Sequence, residues 1–391
     1  MSTTITKQRY VALDVLRGMT VAGMILVNNP GSWGQIYPPL RHAPWIGCTP
    51  TDLVFPFFLF VVGTAMAFSF SRFFEERASM KSAYGKLYKR AALIFLVGFL
   101  LQAFPFVPLK RAPDLTFWES VVRYYSNIRI FGVLQRIATA YALGGTLALW
   151  LKKPRKIAWG FVAVLLLHWL ILYAFGGNDP YGKETNFART LDLFLLGPNH
   201  LYKGYGLPFD PEGVLGMISG AGTVLMGYLA GVRIRKSPEK IHAVGALYTW
   251  GLAALGLGMV WSIWLPISKP LWTGSYVLYA GGWTLLMLAF FIYLIDIKGK
   301  EKWFFPFKAL GLNPLFAFVL SGLVAKIFGR IIHWTTQDGT YYTPLSWLYK
   351  NVFVAVLGNN PAGSLAYAIF YVTIFTLLAI LLYRKKIVIK L

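Results

Sequence analysis

The chain has 391 residues, 57% of them hydrophobic, with a mean hydropathy of +0.55. A soluble domain rarely exceeds about half apolar residues. Here they fall in blocks of roughly 20, the length that spans a bilayer as a helix. Lys and Arg outnumber Asp and Glu 38 to 15, a formal charge of +23. In a membrane protein the positive-inside rule accounts for that excess, and no nucleic acid is needed as a partner.

About ten spans are expected, at 10–29, 52–73, 88–106, 131–151, 157–175, 212–231, 244–264, 273–295, 306–328 and 363–383. The first carries Asp14 and Arg17 and lacks a small-residue cleavage site, so it reads as a retained span and not a signal peptide. Alternate connections carry the basic clusters "RFFEERASMK", "KLYKR", "KKPRK", "RIRKSPEK", "KGKEK" and "RKKIVIK". With Lys7 and Arg9 that side holds roughly 24 of the 38 basic residues, against roughly 11 opposite. The expectation is an all-α polytopic membrane bundle, residues 1–391 forming a single transmembrane domain, with both termini cytoplasmic. The long segments 30–51, 107–130, 176–211 and 329–362 then lie outside. Their many Trp, Tyr, Pro and Gly residues fit either a ligand-binding mouth or an interfacial aromatic belt. The single cysteine, Cys48, excludes an intramolecular disulfide and a multi-cysteine metal site. No metal-binding motif and no Gly-rich phosphate loop occurs.

Ionisable groups within a span are costly and mark a bundle interior or a water-filled path. Asp14 and Arg17, spaced i, i+3, share one face of the first span. Asn28 continues that stripe about 16 Å further along. The alternative is an ion pair snorkelling at the inner interface, with Asn28 closing the helix. In "RIFGVLQRIATAY", Gln135 and Arg136 lie just inside the fourth span, where an arginine needs an anion or a carboxylate partner. "CTPTDL" reads as a helix start, with Thr49 as N-cap, Pro50 as first residue and Asp52 as the acid of a capping box. "FDPEG" repeats the pattern, with Asp210 as N-cap and Glu212 in the first turn. A helix N-terminus opening on a cavity is also an anion site, so capping and binding can coexist.

The histidines separate by context. His168, inside "LLLHWLILY", reads as a satisfied core residue, His242 as solvated, and His333 as lacking a partner. His200 sits in a long outer loop before the sixth span. His42 lies between two helix ends that carry Asn28 and Asp52. A neutral imidazole at such a mouth can act as a general base.

Five stretches occur in order: "ALDVLRGMTVAGMILVNNPGSW", "RHAPWIGCTPTDLVFPFFLFVVG", "RIFGVLQRIATAY", "NHLYKGYG…FDPEGVLG" and "LWTGSYVLYAGG". Together they resemble the heparan-α-glucosaminide N-acetyltransferase family of transmembrane acyltransferases, over essentially the whole chain. The N-terminal extension and additional span of that family are absent, which implies a compact, bacterial-type member in an inner membrane. The resemblance implies acetyl transfer from cytoplasmic acetyl-CoA, as co-substrate and without a metal, to the amine of a glucosamine or glucosaminide across the bilayer. It assigns the active-site histidine to His42 and its helper to Asn28, and it implies a homodimer. Arg17, Asp14, Gln135 and Arg136 are then expected at the coenzyme, and Asp52, His200, Asp210 and Glu212 at the sugar. The competing readings are an O-acyltransferase acting on an envelope glycan and an aminosugar transporter without chemistry.

Overall fold

The computed structural model describes residues 10–75, 79–109 and 113–389. Lys7, Arg9, Arg77 and Lys390, part of the basic pattern above, lie outside the described residues, as do both chain ends.

In chain order the first helices are α1 (Val11–Asn28), α2 (Pro50–Glu75), α3 (Met80–Ala103), the short α4 (Phe117–Tyr125), α5 (Val133–Leu151) and α6 (Pro154–Phe175). The short α7 (Phe187–Leu196) precedes α8 (Gly216–Lys236), α9 (Lys240–Trp261) and α10 (Gly274–Phe291). Then come α11 (Phe305–Leu312), α12 (Pro314–Lys326), the short α13 (Pro344–Leu348) and α14 (Ala355–Leu357), and α15 (Pro361–Arg384). One small hairpin, Trp334–Thr335 with Tyr341–Tyr342, supplies the only strands among the described residues. The molecule is an all-α, multi-pass membrane bundle.

Among the described residues eight helical segments are long and apolar enough to cross a bilayer: α1, α2, α6, α8, α9, α10 with its continuation to Ile297, α12 with its continuation to Ile331, and α15. The two other expected spans form α3 and α5, of 24 and 19 residues. Lys86, Lys89 and Arg90 make α3 more polar, and Gln135 and Arg136 do the same for α5. Both still pack inside the bundle, α3 along α5 and α5 along α8. The expected span 306–328 is interrupted at Asn313, where Pro314 cannot continue the hydrogen-bond ladder of α11.

Lipid gives no hydrophobic drive between helices, so close backbone approach decides the crossings. Gly18 of α1 lies against the Phe307 carbonyl, and Gly311 of α11 against the Asp14 carbonyl. In the same way Gly63 of α2 faces the Val224 carbonyl and Gly227 of α8 the Phe60 carbonyl. A Cβ at any of these four positions collides with backbone. The crossings bring the C-terminal end of α1 and the N-terminal ends of α2, α5 and α10 together at one end of the bundle.

Candidate active site

At that end the loop before α2 folds back over the helix start, and Asp52 in the first turn organises it. Asp52 Oδ2 accepts from the backbone N–H groups of Ala43 and Thr49, each at 3.0 Å, and from the Thr49 hydroxyl at 3.1 Å. Its Oδ1 stands 2.6 Å from His42 Nδ1. A carboxylate oxygen that close to a ring nitrogen requires a hydrogen between them, so Nδ1 carries it and Nε2 is the nitrogen left to exchange a proton with the cavity. The Asp52 side chain is 1% exposed and that of His42 45%. The acid is fixed and the imidazole is open. The Tyr276 hydroxyl donates to the Asp52 carbonyl at 2.6 Å and ties this turn to α10.

A second loop, 266–273, is zipped onto the first. The Gly47 N–H donates to the Ile267 carbonyl at 2.7 Å, and the Ser268 hydroxyl to the Trp45 carbonyl at 2.9 Å. Buried Trp272, at φ 51°, closes the turn by donating its backbone N–H to the Lys269 carbonyl at 3.0 Å. Lys269 Nζ is thereby placed 3.0 Å from His42 Nδ1 and 3.3 Å from Asp52 Oδ1.

These groups face a cavity of about 210 Å³, lined also by Asn28, Arg129, Tyr202, Tyr205 and Glu212. Arg129 donates to both oxygens of Asp210, at 2.8 and 2.7 Å, and to Glu212, and it lies 4.7 Å over the Tyr202 ring. Burial alone would lower its pKa, but the hydrogen bond to Asp210 and the charges of Glu212 and Asp210 outweigh that and raise it. Burial, reinforced by the Glu212 charge, pushes the Tyr205 phenol up, so it offers a neutral hydroxyl. An oriented imidazole, a fixed cation–acid pair and phenols around one cavity suit a small polar acceptor.

A second cavity, of about 400 Å³, is lined by Arg17, Arg90, Ser69 and Tyr141 and by tail residues Val388 and Ile389. The tail is clamped there by Asn313, which accepts from the Ile389 N–H at 2.7 Å and donates to the Ile387 carbonyl at 3.0 Å. Arg17 pairs with Asp14 at 3.3 Å and donates to the Gly311 carbonyl at 3.1 Å. The two cavities come within one turn of each other, at Phe55 and Phe58 of α2 and at Val133 and Ile137 of α5. Along α1, Asn28 lines the first and Arg17 the second.

His42, Asn28, Asp52 and Glu212 are thus gathered at one cavity, but several expected roles need correcting. Asp52 has both oxygens engaged, so it holds His42 in place of a sugar. Asp210 is fully buried against Arg129, and His200 turns its Nδ1 to the Ile128 carbonyl at 2.6 Å; neither lines the cavity. Nor does Asp210 cap a helix. It accepts from the Glu212 N–H at 3.0 Å in a local turn, and α8 begins only at Gly216.

Arg136 was expected at the coenzyme phosphates, yet α5 starts at the His42 end, which puts the side chain there too. It is 1% exposed and donates to the carbonyls of Pro211, Gly213 and Gly216 at 3.1, 3.0 and 2.7 Å. Gln135 is buried as well, and neither Gln135, Arg136 nor Asp14 lines either cavity. His168 is buried, but its ring nitrogens have no partner among the described residues, so it is not the satisfied core histidine expected. His333 does have a partner, the Ile331 carbonyl at 2.9 Å from its Nδ1, while His242 is exposed.

Sequence reasoning missed Arg129, Lys269, Tyr202 and Tyr205. Both cations had a signal: each is a lone charge in an apolar setting, in "SNIRIFG" and "LPISKPLW". The tyrosines had none beyond their loop.

The family model described as heparan-α-glucosaminide N-acetyltransferase, catalytic, matches residues 9–200. Human heparan-α-glucosaminide N-acetyltransferase is 27% identical over 440 residues, covering 97% of this chain and 59% of the human protein. The mouse protein of the same name is 27% identical over 439 residues, covering 97% of this chain and 60% of its own. The chain thus resembles this family over nearly all of its length. It spans about three fifths of the length of the relatives it matches. In the heparan-α-glucosaminide N-acetyltransferase frame, the matched catalytic region contains Asn28, His42, Asp52 and Arg129, while Glu212 and Lys269 lie beyond it.

Proposed function

We propose that the protein transfers an acetyl group from cytoplasmic acetyl-CoA to the amine of a glucosamine-type sugar at the opposite membrane face. What carries this reading is the His42–Asp52 pair in a polar cavity one helical turn from a second, arginine-lined cavity. The names of the relatives support acetyl transfer to a glucosaminide.

Coenzyme A has an anionic nucleotide end and a thin, flexible arm. Arg17 and Arg90 suit its phosphates. The arm passes the partition between the cavities and presents the thioester beside Asn28 and His42. The acceptor amine attacks the thioester carbonyl, and the Asn28 amide donates to the oxygen that gains negative charge. His42 Nε2 takes an N–H proton from the attacking nitrogen, the C–S bond breaks, and the same proton goes to the departing thiolate. Glu212, Tyr202 and Tyr205 hold the sugar hydroxyls and amine. Thioesters are already activated, so proximity and one oriented base suffice.

The test uses the purified full chain in sealed liposomes, with labelled acetyl-CoA on one side and glucosamine on the other. Wild type yields labelled N-acetylglucosamine and His42→Ala does not. Transfer to sugar hydroxyls alone would establish the O-acyltransferase reading instead. Sugar flux indifferent to acetyl-CoA would establish a transporter.

A further inference from the structure

The reaction just described leaves Lys269 without a task, although it touches both members of the central pair. Its Nζ lies 3.0 Å from His42 Nδ1 and 3.3 Å from Asp52 Oδ1, and its side chain is 16% exposed. Nδ1 has one hydrogen-bonding position in the ring plane, and the 2.6 Å contact with Asp52 fills it with an N–H. Lys269 therefore cannot donate to the ring. It forms an ion pair with Asp52, and its charge also stands 3.0 Å from the ring nitrogen.

The other titratable groups around His42 do not cancel that charge. From α2 comes Asp52, with which Lys269 itself forms an ion pair. From the far wall come Arg129 and Glu212, bonded to each other, with the phenols Tyr202 and Tyr205. In the same loop the Arg41 guanidinium is turned away, to the carbonyls of Ile36 and Gly34 at 2.9 and 3.5 Å. A lone carboxylate favours an imidazolium; a carboxylate already paired with an ammonium does so far less.

We propose that Lys269 is a positioning residue that keeps His42 in its base form and drives the captured proton on to the leaving thiolate. The proposal rests on the acetyltransferase reading. When Nε2 takes the amine proton, the ring becomes a cation 3.0 Å from a second cation. Loss of that proton to the thiolate as the C–S bond breaks relieves the repulsion and restores neutral His42. An acceptor that arrives as an ammonium first releases one proton to water, so the overall balance holds. Without Lys269, Asp52 would retain the imidazolium and slow both proton capture and proton return.

Diethyl pyrocarbonate modifies only a neutral imidazole, and peptide mass spectrometry reads His42 apart from the other histidines. At pH 6, Lys269→Met slows modification of His42 severalfold, as an upward move of about one pH unit implies, and by pH 8 the rates converge. Lys269→Arg keeps the wild-type rate at both. Should the Met variant not fold, Lys269→Gln, which retains a donor to Asp52 without the charge, shows the same loss at pH 6. An equal or faster rate at pH 6 in an uncharged variant overturns the proposal, because a lysine that merely filled space would expose the ring when removed. No substrate enters this assay. Absence of acetyl transfer by wild type therefore counts against the acetyltransferase reading, and unchanged pH dependence counts against this one. In the active protein the acid limb of kcat/KM moves up by about one pH unit in Lys269→Met, whereas a structural lysine would scale the profile without moving it.

Discussion

Replacing Asp52 by Asn tests whether the acid does more than cap α2. The substitution keeps size and shape. The loop donors of Ala43 and Thr49 converge on one oxygen, so the amide oxygen must stay there. That leaves the amide nitrogen 2.6 Å from His42 Nδ1, where it can only donate. The imidazole must then move its hydrogen to Nε2, and the base is lost from the cavity. The charge is lost as well: two unit charges about 4 Å apart, at an effective dielectric of about 20, are coupled by about 4 kcal/mol, which with the lost base sets the upper bound because Lys269 offsets part of the coupling. That corresponds to about three decades in rate. The expected result is a fall of up to about 10³ in kcat for acetyl transfer in liposomes, with unchanged KM for acetyl-CoA. The melting temperature, read by intrinsic fluorescence, stays within a few degrees because the loop donors keep their acceptor. An Asn variant with more than a tenth of wild-type activity would refute the orienting role and leave Asp52 as a cap.

Four other outcomes follow from the same geometry. Arg17→Ala raises the KM for acetyl-CoA about tenfold, as loss of one charge-assisted phosphate contact implies, and leaves the sugar KM alone; the reverse pattern would exchange the two cavities. Burial, then the Asp52 charge, push the Cys48 thiol up to about 12, so at pH 8 about one thiol in 10⁴ is ionised and N-ethylmaleimide leaves activity intact over an hour. Burial, reinforced by the Asp210 charge, raises the Asp192 carboxyl to about 7. Its folded pKa exceeds its unfolded one, so its contribution to stability is complete below about pH 4 and is lost as pH rises to about 7. Asp192→Asn, which still accepts from the Val214 N–H, is then more stable than wild type at pH 8, by at most about 4 kcal/mol, and equally stable at pH 4; a lower melting point at pH 8 would contradict this. Arg136→Gln strands carbonyls at about 1 kcal/mol or more each, so it should lower yield and melting temperature without changing the acetyl-CoA KM of whatever folds.

The helical bundle was legible because hydropathy and helix length are local properties of a sequence. Eight spans met that criterion outright, and α3 and α5 were found despite their charges because the apolar run continues past them. The site was legible where the chain itself brings residues together. His42 and Asp52 are ten positions apart, flanking one helix start, and Asn28 ends the helix before. It was misread where a partner comes from far along the chain. Nothing in "FDPEG" announces that Asp210 will meet Arg129, 81 residues earlier, so a local cap looked sufficient. Lys269 lies 227 residues from His42 and reaches it only because two loops are zipped at Gly47 and Ser268. Arg136 failed for a different reason. It was read as an arginine in need of an anion and assigned to the coenzyme, although the expected topology, with 107–130 outside, already placed the start of the fourth span at the outer end.

That misplaced arginine explains how the reaction cavity can exist at all. Glu212 must face inward from irregular backbone, and irregular backbone at membrane depth is tolerated only where its polar groups find partners. Arg136 supplies three donors to the approach of α8, between Pro211 and Gly216. The polar machinery therefore stays at one end, and Arg17 and Arg90 stay at the other. Between them stand Phe55, Phe58, Val133 and Ile137, and an apolar constriction of that kind resists ions and sugars alike. A carrier needs a polar route from side to side, and between these two cavities the residues that meet are apolar. A donor with a thin arm needs only to reach through, so group transfer across the partition fits the architecture better than passage of the sugar.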